Sequence, residues 1–170
     1  MNLPDKITVL DNFLSKEDHK GIYNLCKSVG YYVGGGDVQE SGEPSGMWYP
    51  LKNNTAVKEF FRSEIEKKFE GFKKYTITHS GINCFMPKEI PYFHTDGYSG
   101  ENPFTILYYP NLKEYDLSEG GCTEILHNNQ IIGIQPKPNR ILFLDSRLEH
   151  RATSFRSDLR FTLTLRFNSI

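Results

Sequence analysis

The sequence predicts a mainly β fold with a small α component: a β-sandwich or small jelly roll buttressed by two N-terminal helices. Three observations point there. From Tyr75 onward the chain is a succession of short strand-like runs separated by turn residues; two amphipathic helical stretches precede them; and 12 Phe and 10 Tyr among 170 residues supply bulky core filling of the kind sheets favour.

The elements follow in order. A short strand is expected near Ile7–Leu10. Ser15 followed by Asp18 is an N-cap signature, Ile22, Leu25, Cys26 and Val29 recur at helical spacing, and Gly30 closes the segment. A second helix starts near Asn54 or Thr55, with Val57, Phe60, Phe61, Ile65 and Phe69 as its apolar stripe and Gly71 as its stop. Between the helices, Tyr31 to Asn53 holds Gly34-Gly35-Gly36, Gly42, Pro44, Gly46 and Pro50 together with Trp48 and Tyr49. A glycine-rich loop this long reads either as a lid or binding loop or as a connector whose aromatics pack on the core. The expected strands are then Tyr75–Phe85, Tyr92–Asp96, Phe104–Tyr109, Cys122–Leu126, Gln130–Ile134, Arg140–Asp145 and Leu159–Phe167. The expectation is one domain over 1–170, with 1–74 as helical support and loop and 75–170 as the β core.

Composition excludes several functions. Twenty Lys+Arg against 21 Asp+Glu give a formal net charge of −1, so no global field favours nucleic acid or an anionic membrane. No apolar run approaches the ~20 residues that span a bilayer, and the opening Met-Asn-Leu-Pro-Asp-Lys lacks the pattern of a secretory signal. Cys26, Cys84 and Cys122 are scattered and form no C-x-x-C pair. A cytoplasmic protein with buried free thiols is the expectation.

The chemistry is carried by His94-Thr95-Asp96. Two residues apart on an extended segment, His94 and Asp96 project from one face, at a strand end just before Gly97. With His150 brought in from a distant strand they would form a two-His, one-carboxylate set that leaves adjacent metal positions open, as a non-haem Fe(II) oxygenase requires. Arg160 lies ten residues past His150, in Leu159-Arg160-Phe161-Thr162-Leu163-Thr164-Leu165-Arg166-Phe167, which alternates strictly. Its apolar face has a partner in the two helices, so its polar face can line a cavity with Arg160 aimed inward. A guanidinium there would grip a carboxylate bidentately. Within Phe104–Tyr109, either Tyr108 or Tyr109 must face that cavity, and its phenol could donate to the same carboxylate. His19, His79 and His127 are read as structural, His19 on the polar side of the first helix. Asp145 and Glu149 are possible acceptors for a His150 ring N–H.

The succession VLDNFLSKED, HTD, ILYYPN, EGGCTE, PKPNRILFLD, EHRA and LRFTLTLRF resembles, over nearly the whole chain, the Fe(II)/2-oxoglutarate-dependent dioxygenases, particularly their prolyl-hydroxylase-like branch. The resemblance implies a double-stranded β-helix (jelly roll). It implies that His94, Asp96 and His150 are the iron ligands and catalytic centre, that Arg160 anchors the 2-oxoglutarate C5-carboxylate assisted by Tyr109, and that Thr123 lies near the co-substrate. Fe(II), 2-oxoglutarate and O₂ are the implied cofactor and co-substrates. Collagen-type members usually carry Lys in place of Arg160, so the likeness leans toward the oxygen-sensing and bacterial prolyl hydroxylases. Where many relatives place a co-substrate tyrosine, this chain has Cys84-Phe85, and Cys122 stands where Glu is common.

The expected activity is hydroxylation of an unactivated C–H, first of a peptidyl proline, with Trp48, Tyr49 and Tyr98 shaping the substrate side. The alternatives are an oxygenase acting on a small molecule or free amino acid, a cupin-type metal protein without oxygenase activity, and a structural β-sandwich adaptor. The last predicts that His94, Asp96 and His150 do not converge.

Overall fold

A computed structural model describes residues 6–33, 45–52, 54–97 and 104–170. Among the described residues, ten strands form two antiparallel sheets. They are β1 (Ile7–Leu10), β2 (Tyr32–Val33), β3 (Met47–Pro50), β4 (Tyr75–Phe85), β5 (Phe104–Tyr109), β6 (Thr123–His127), β7 (Gln130–Ile134), β8 (Arg140–Asp145), β9 (His150–Ala152) and β10 (Arg160–Ser169). The larger sheet runs β1-β8-β5-β10-β4-β3-β2 and the smaller β7-β6-β9. Helices α1 (Lys16–Ser28) and α2 (Thr55–Lys68) cover the outer face of the larger sheet.

Both helices begin as their sequences dictate. The Ser15 side chain accepts from the Asp18 N–H, and the Asn54 side chain from that of Val57. Their ends differ from expectation. Neither Gly30 nor Gly71 terminates a helix: α1 stops at Ser28, and Gly71 lies inside a 3-10 turn, Glu70–Lys74, that follows α2. His19 also moves. It shares the buried face of α1 with Ile22 and Cys26, because positions three, four and seven apart stack on one side of a helix. There its Nε2 donates to the Pro110 carbonyl at 2.9 Å and its ring meets Tyr108 edge-on.

Two apolar clusters result. The larger lies between the helices and the seven-stranded sheet, where Phe72 packs against Phe69, Tyr75, Phe104, Phe143 and Phe167. The smaller, Leu107, Tyr109, Ile125, Leu142 and Leu144, lies between the two sheets. Strand β10 serves both sides. Phe161, Leu163, Leu165 and Phe167 enter the helix-backed core, while Arg160, Thr162, Thr164 and Arg166 face the space between the sheets.

Two segments depart from the expected strand list. Tyr92–Asp96 does not form a ladder; its backbone meets the smaller sheet through the reciprocal pair of His94 and His150, at 2.9 and 3.0 Å. The second departure is gained structure: β2 and β3 pair with each other, and β3 with β4, extending the larger sheet, and β9 pairs with β6 in the smaller one. Of the glycine-rich loop, positions 34–44 lie outside the described residues. No helix among the described residues is long and apolar enough to cross a membrane.

Two predictions follow from this packing. Phe72→Ala is expected to cost about 3–5 kcal/mol, read as a lowered urea midpoint at constant m-value. Burial depresses the His19 imidazole below its ordinary 6.5, so below that pH the unfolded chain binds a proton that the folded chain refuses. Stability should therefore fall as pH drops through 6.5. His19→Gln, which keeps an N–H for Pro110, should flatten the dependence of Tm on pH between 7 and 5. An unaltered slope would assign the effect elsewhere, His79 being shifted the same way.

Candidate metal centre

The backbone pair between His94 and His150 clamps a segment with no ladder of its own onto β9, and a further bond from Asp96 N–H to the Ser146 carbonyl, at 2.9 Å, fixes the far end of the motif. Both side chains of His94-Thr95-Asp96 thereby face the cavity between the sheets. One potential ligand atom from each of His94, Asp96 and His150 lies within 4.8 Å of the others. His94 Nε2 stands 3.6 Å from Asp96 Oδ1, and His150 Nε2 stands 3.4 Å from Asp96 Oδ2. Ligands about 2.1 Å from an ion and at right angles to each other are roughly 3 Å apart, so small rotations would seat all three on one cation.

The surrounding bonds select the right tautomers. His150 Nδ1 lies 2.9 Å from the Leu148 carbonyl and His94 Nδ1 lies 3.3 Å from that of Tyr92. Each Nδ1–H is thus committed to a carbonyl, which leaves each Nε2 pointing inward, where it can give up a proton and offer its lone pair to a cation. Backbone carbonyls thus fill the role that Asp145 and Glu149 had been considered for; Asp145 pairs instead with Arg147.

Asp96 is 6% exposed. Its Oδ2 accepts from Thr105 Oγ1 at 2.6 Å and its Oδ1 accepts from Arg166 Nη2. Burial pushes the carboxyl up, but the facing imidazoles of His150 and His94 and the Arg166 guanidinium outweigh it and hold the group well below the usual carboxylate range. A buried carboxylate kept ionised with two imidazole nitrogens turned on it is a donor set that fits a divalent first-row metal with open positions.

Arg160 is the deepest cation of the cavity, 1% exposed. Its Nε donates to the Gly121 carbonyl (2.7 Å), Nη1 to Thr162 Oγ1 (2.7 Å) and Nη2 to Thr123 Oγ1 (2.9 Å). Tyr109 shares the same threonine, its phenol 2.8 Å from Thr123 Oγ1, so arginine, tyrosine and threonine converge on one point. Alternation along β5 decides between the two tyrosines: Tyr109 faces inward, while Tyr108 joins the helix-side core. Gly121 makes this possible. Its φ is +78°, and a Cβ there would lie 2.3 Å from the Phe155 ring. Phe85 faces the cavity with its ring 5.7 Å from the Arg160 guanidinium, so the expected tyrosine hydroxyl is replaced by a flat apolar contact; Cys84 points into the opposite core.

Of the residues expected on the substrate side, Trp48 lines the cavity and Tyr49 does not. Tyr49 packs against the helix-side core, because neighbours on a strand point to opposite faces. Tyr98 lies outside the described residues. Two lining residues were not anticipated as site residues. His79 stacks on Trp48 with centroids 5.0 Å apart and 18° between planes, and Arg166 reaches Asp96. Only strand pairing marks His79 as inward. Ile77 and Ile82 both face the core although their numbers differ in parity, which requires a β-bulge between them. The bulge opposite Arg166 and Phe167 turns His79, Gly81, Asn83 and Phe85 inward. The cavity holds about 130 Å³.

No protein-family model and no curated sequence matches the chain. Among solved structures, the fold is the double-stranded β-helix of the 2-oxoglutarate/Fe(II) oxygenases, prolyl hydroxylases among them. A prolyl hydroxylase from Trichoplax adhaerens, in complex with a hypoxia-inducible-factor peptide fragment, is 17% identical with a TM-score of 0.69, covering 97% of this chain and 84% of that one. A 2OG-Fe(II) oxygenase family oxidoreductase from Burkholderia pseudomallei is 11% identical with a TM-score of 0.76, covering 96% and 85%. The α-ketoglutarate-dependent carbocyclase SnoK of nogalamycin biosynthesis is 12% identical with a TM-score of 0.69, covering 95% and 79%.

The Trp48–His79 stack yields a test of its own. Trp48 lies across Gly81, where an added Cβ would come within 1.9 Å of the indole. Gly81→Ala should therefore expel the ring, moving the emission of this single tryptophan toward its solvent-exposed wavelength while the far-ultraviolet dichroism stays that of the wild type.

Proposed function

We propose that the chain is an Fe(II)- and 2-oxoglutarate-dependent dioxygenase that hydroxylates an unactivated C–H, acting in the manner of a prolyl hydroxylase on a peptide or protein. The observation that carries this reading is the meeting of His94, Asp96 and His150 in one cavity with the buried Arg160. The cupin and adaptor alternatives call for no such arginine, and the adaptor reading requires the three side chains to stay apart.

In this reading His94 Nε2, His150 Nε2 and one Asp96 oxygen hold the metal, while Thr105 fixes the carboxylate by its 2.6 Å bond. Arg160 and the Tyr109 phenol take the distal carboxylate of 2-oxoglutarate, with Thr123 between them. Burial raises the Tyr109 pKa, so its hydroxyl remains a donor. When bound, iron and 2-oxoglutarate supply the oxidation: one O₂ and one 2-oxoglutarate are consumed and the C–H becomes C–OH, with release of succinate and CO₂. The protein itself needs neither nucleophile nor acid/base pair. It orients the co-substrate, aims it by charge and keeps its far end out of water. Trp48, on β3 at the cavity wall, offers the flat apolar surface a proline ring would stack on. The TM-score of 0.69 to SnoK, equal to that of the Trichoplax enzyme, favours as second reading an oxygenase acting on a small molecule.

Anaerobic addition of Fe(II) and 2-oxoglutarate tests the centre. A visible charge-transfer band is expected in the wild type and should vanish in His150→Ala. In Arg160→Ala the 2-oxoglutarate Kd should rise by roughly 30-fold or more, since removing one partner of a buried charge pair costs about 2–5 kcal/mol. No band in well-folded wild-type protein would overturn the reading. Succinate release across a panel of proline peptides then tests the substrate class.

A further inference from the structure

At the end of the cavity opposite Arg160, β10 presents a second arginine that the chemistry above does not use. Arg166 lies on the same inward face, six residues on, or roughly 20 Å along the strand. Its Nη2 bonds Asp96, while its Nε is buried and has no hydrogen-bond partner among the described residues. A buried N–H without an acceptor is rare and costly, and in a native fold it calls for an explanation. Directly across the ladder from Arg166 stands His79, stacked on Trp48. Deeper in, Asn83 Nδ2 donates to Thr164 Oγ1 at 3.1 Å. Arg166 thus keeps donor capacity at this end of the cavity, beside the flat wall of Trp48 and His79. Its side chain as a whole is 29% exposed, so an incoming carboxylate can reach the guanidinium, and a turn of the side chain away from Asp96 would bring the buried Nε–H to it.

Charge completes the argument. The carboxylate that Arg166 now faces is the one a divalent cation would share. With that cation in place, Asp96 and the metal-proximal carboxylate of 2-oxoglutarate together leave one positive charge uncompensated near Arg166. A neutral substrate would leave both that charge and the Nε–H unanswered.

We propose that Arg166 is a specificity-determining residue that binds a carboxylate of the substrate through Nε–H and its remaining Nη N–H groups, while the adjoining apolar part of the substrate lies on the Trp48–His79 face. The substrate is thus acidic, its anion close to the carbon that reacts. This rests on the oxygenase reading above. The carboxylate belongs either to an amino-acid-like small molecule or to an acidic side chain beside the target residue of a peptide, and the two sources are separable.

Trp48 is the only tryptophan in the chain, so its emission reports on this end of the cavity. In protein loaded anaerobically with Fe(II) and 2-oxoglutarate, Trp48 emission is titrated with N-acetylproline against N-acetylprolinamide, and with proline peptides carrying a neighbouring Glu against Gln. At least a tenfold preference for the carboxylate member of one pair is expected, weakening with added salt. The preference should fall below threefold in Arg166→Gln and survive in part in Arg166→Lys. A preference in the first pair assigns a small molecule, in the second a peptide. Equal binding within both pairs by the wild type, or an undiminished preference in folded Arg166→Gln, overturns the proposal. The wild-type comparison requires no variant to fold and no turnover. A missing charge-transfer band sinks the oxygenase reading separately, whereas a wild type that shows the band but no carboxylate preference sinks only this one.

Discussion

The structure depends on β10 being buried on both faces while remaining chemically two-sided. A strand in mid-sheet, paired with β4 on one side and β5 on the other, has no free edge and no solvent face. Its period of two therefore divides two interiors. Phe161, Leu163, Leu165 and Phe167 anchor the helix-backed core, and the residues between them can only point into the space between the sheets. Placing arginine and threonine there is costly unless each group finds a hydrogen-bond partner. Arg160 finds three oxygens, and Thr164 finds Asn83. The polar cavity is thus the complement of the core, written on alternate residues of one strand.

The same logic explains why the candidate metal cluster does not rely on a regular strand. His94 and Asp96 sit on a segment tied to the smaller sheet by one backbone pair and to the Ser146 carbonyl by one further bond. Their orientation comes from what they touch. Asp96 is fixed by Thr105 from β5, by Arg166 from β10 and by the imidazoles of His94 and His150, so four separate parts of the chain must be in register for the carboxylate to stay where it is. A site assembled this way is formed only when the two sheets close on each other. It inherits its rigidity from the cores on either side rather than from its own loop.

Much of this was legible in the sequence because it is local. The alternation of 159–167, the helical stripes, the H-x-D pair and the second histidine followed by an arginine ten residues later each declare themselves within a few residues. What was not legible depends on pairing. The inward turn of His79 comes from a bulge whose partner is nearly ninety positions away, and the joining of β3 to β4 decides that Trp48 faces the cavity and Tyr49 the core. His19 was assigned to the wrong side of α1 because a histidine was counted as polar. Its spacing to Ile22 and Cys26 already placed it on the buried face. Arg166 was visible as part of an inward-facing set, but its grip on Asp96 needs the register of β10 against β5, where Arg166 stands opposite Thr105.

That register also gives the cavity a direction. Arg160 closes one end, almost wholly buried beneath Phe85, Tyr109 and Thr123. Arg166 and His94 at the other end retain more than a quarter of their side-chain surface, so this is the end open to solvent. If Arg160 takes one carboxylate and Arg166 another, the two anions cannot enter in either order. The deeper one must pass the metal ligands first, and a molecule already held at Arg166 would stand in its path. Two like-charged side chains on one strand, distinguished only by depth, would then impose ordered binding on the fold, with the co-substrate first and the substrate second, and no moving part would be needed to enforce it.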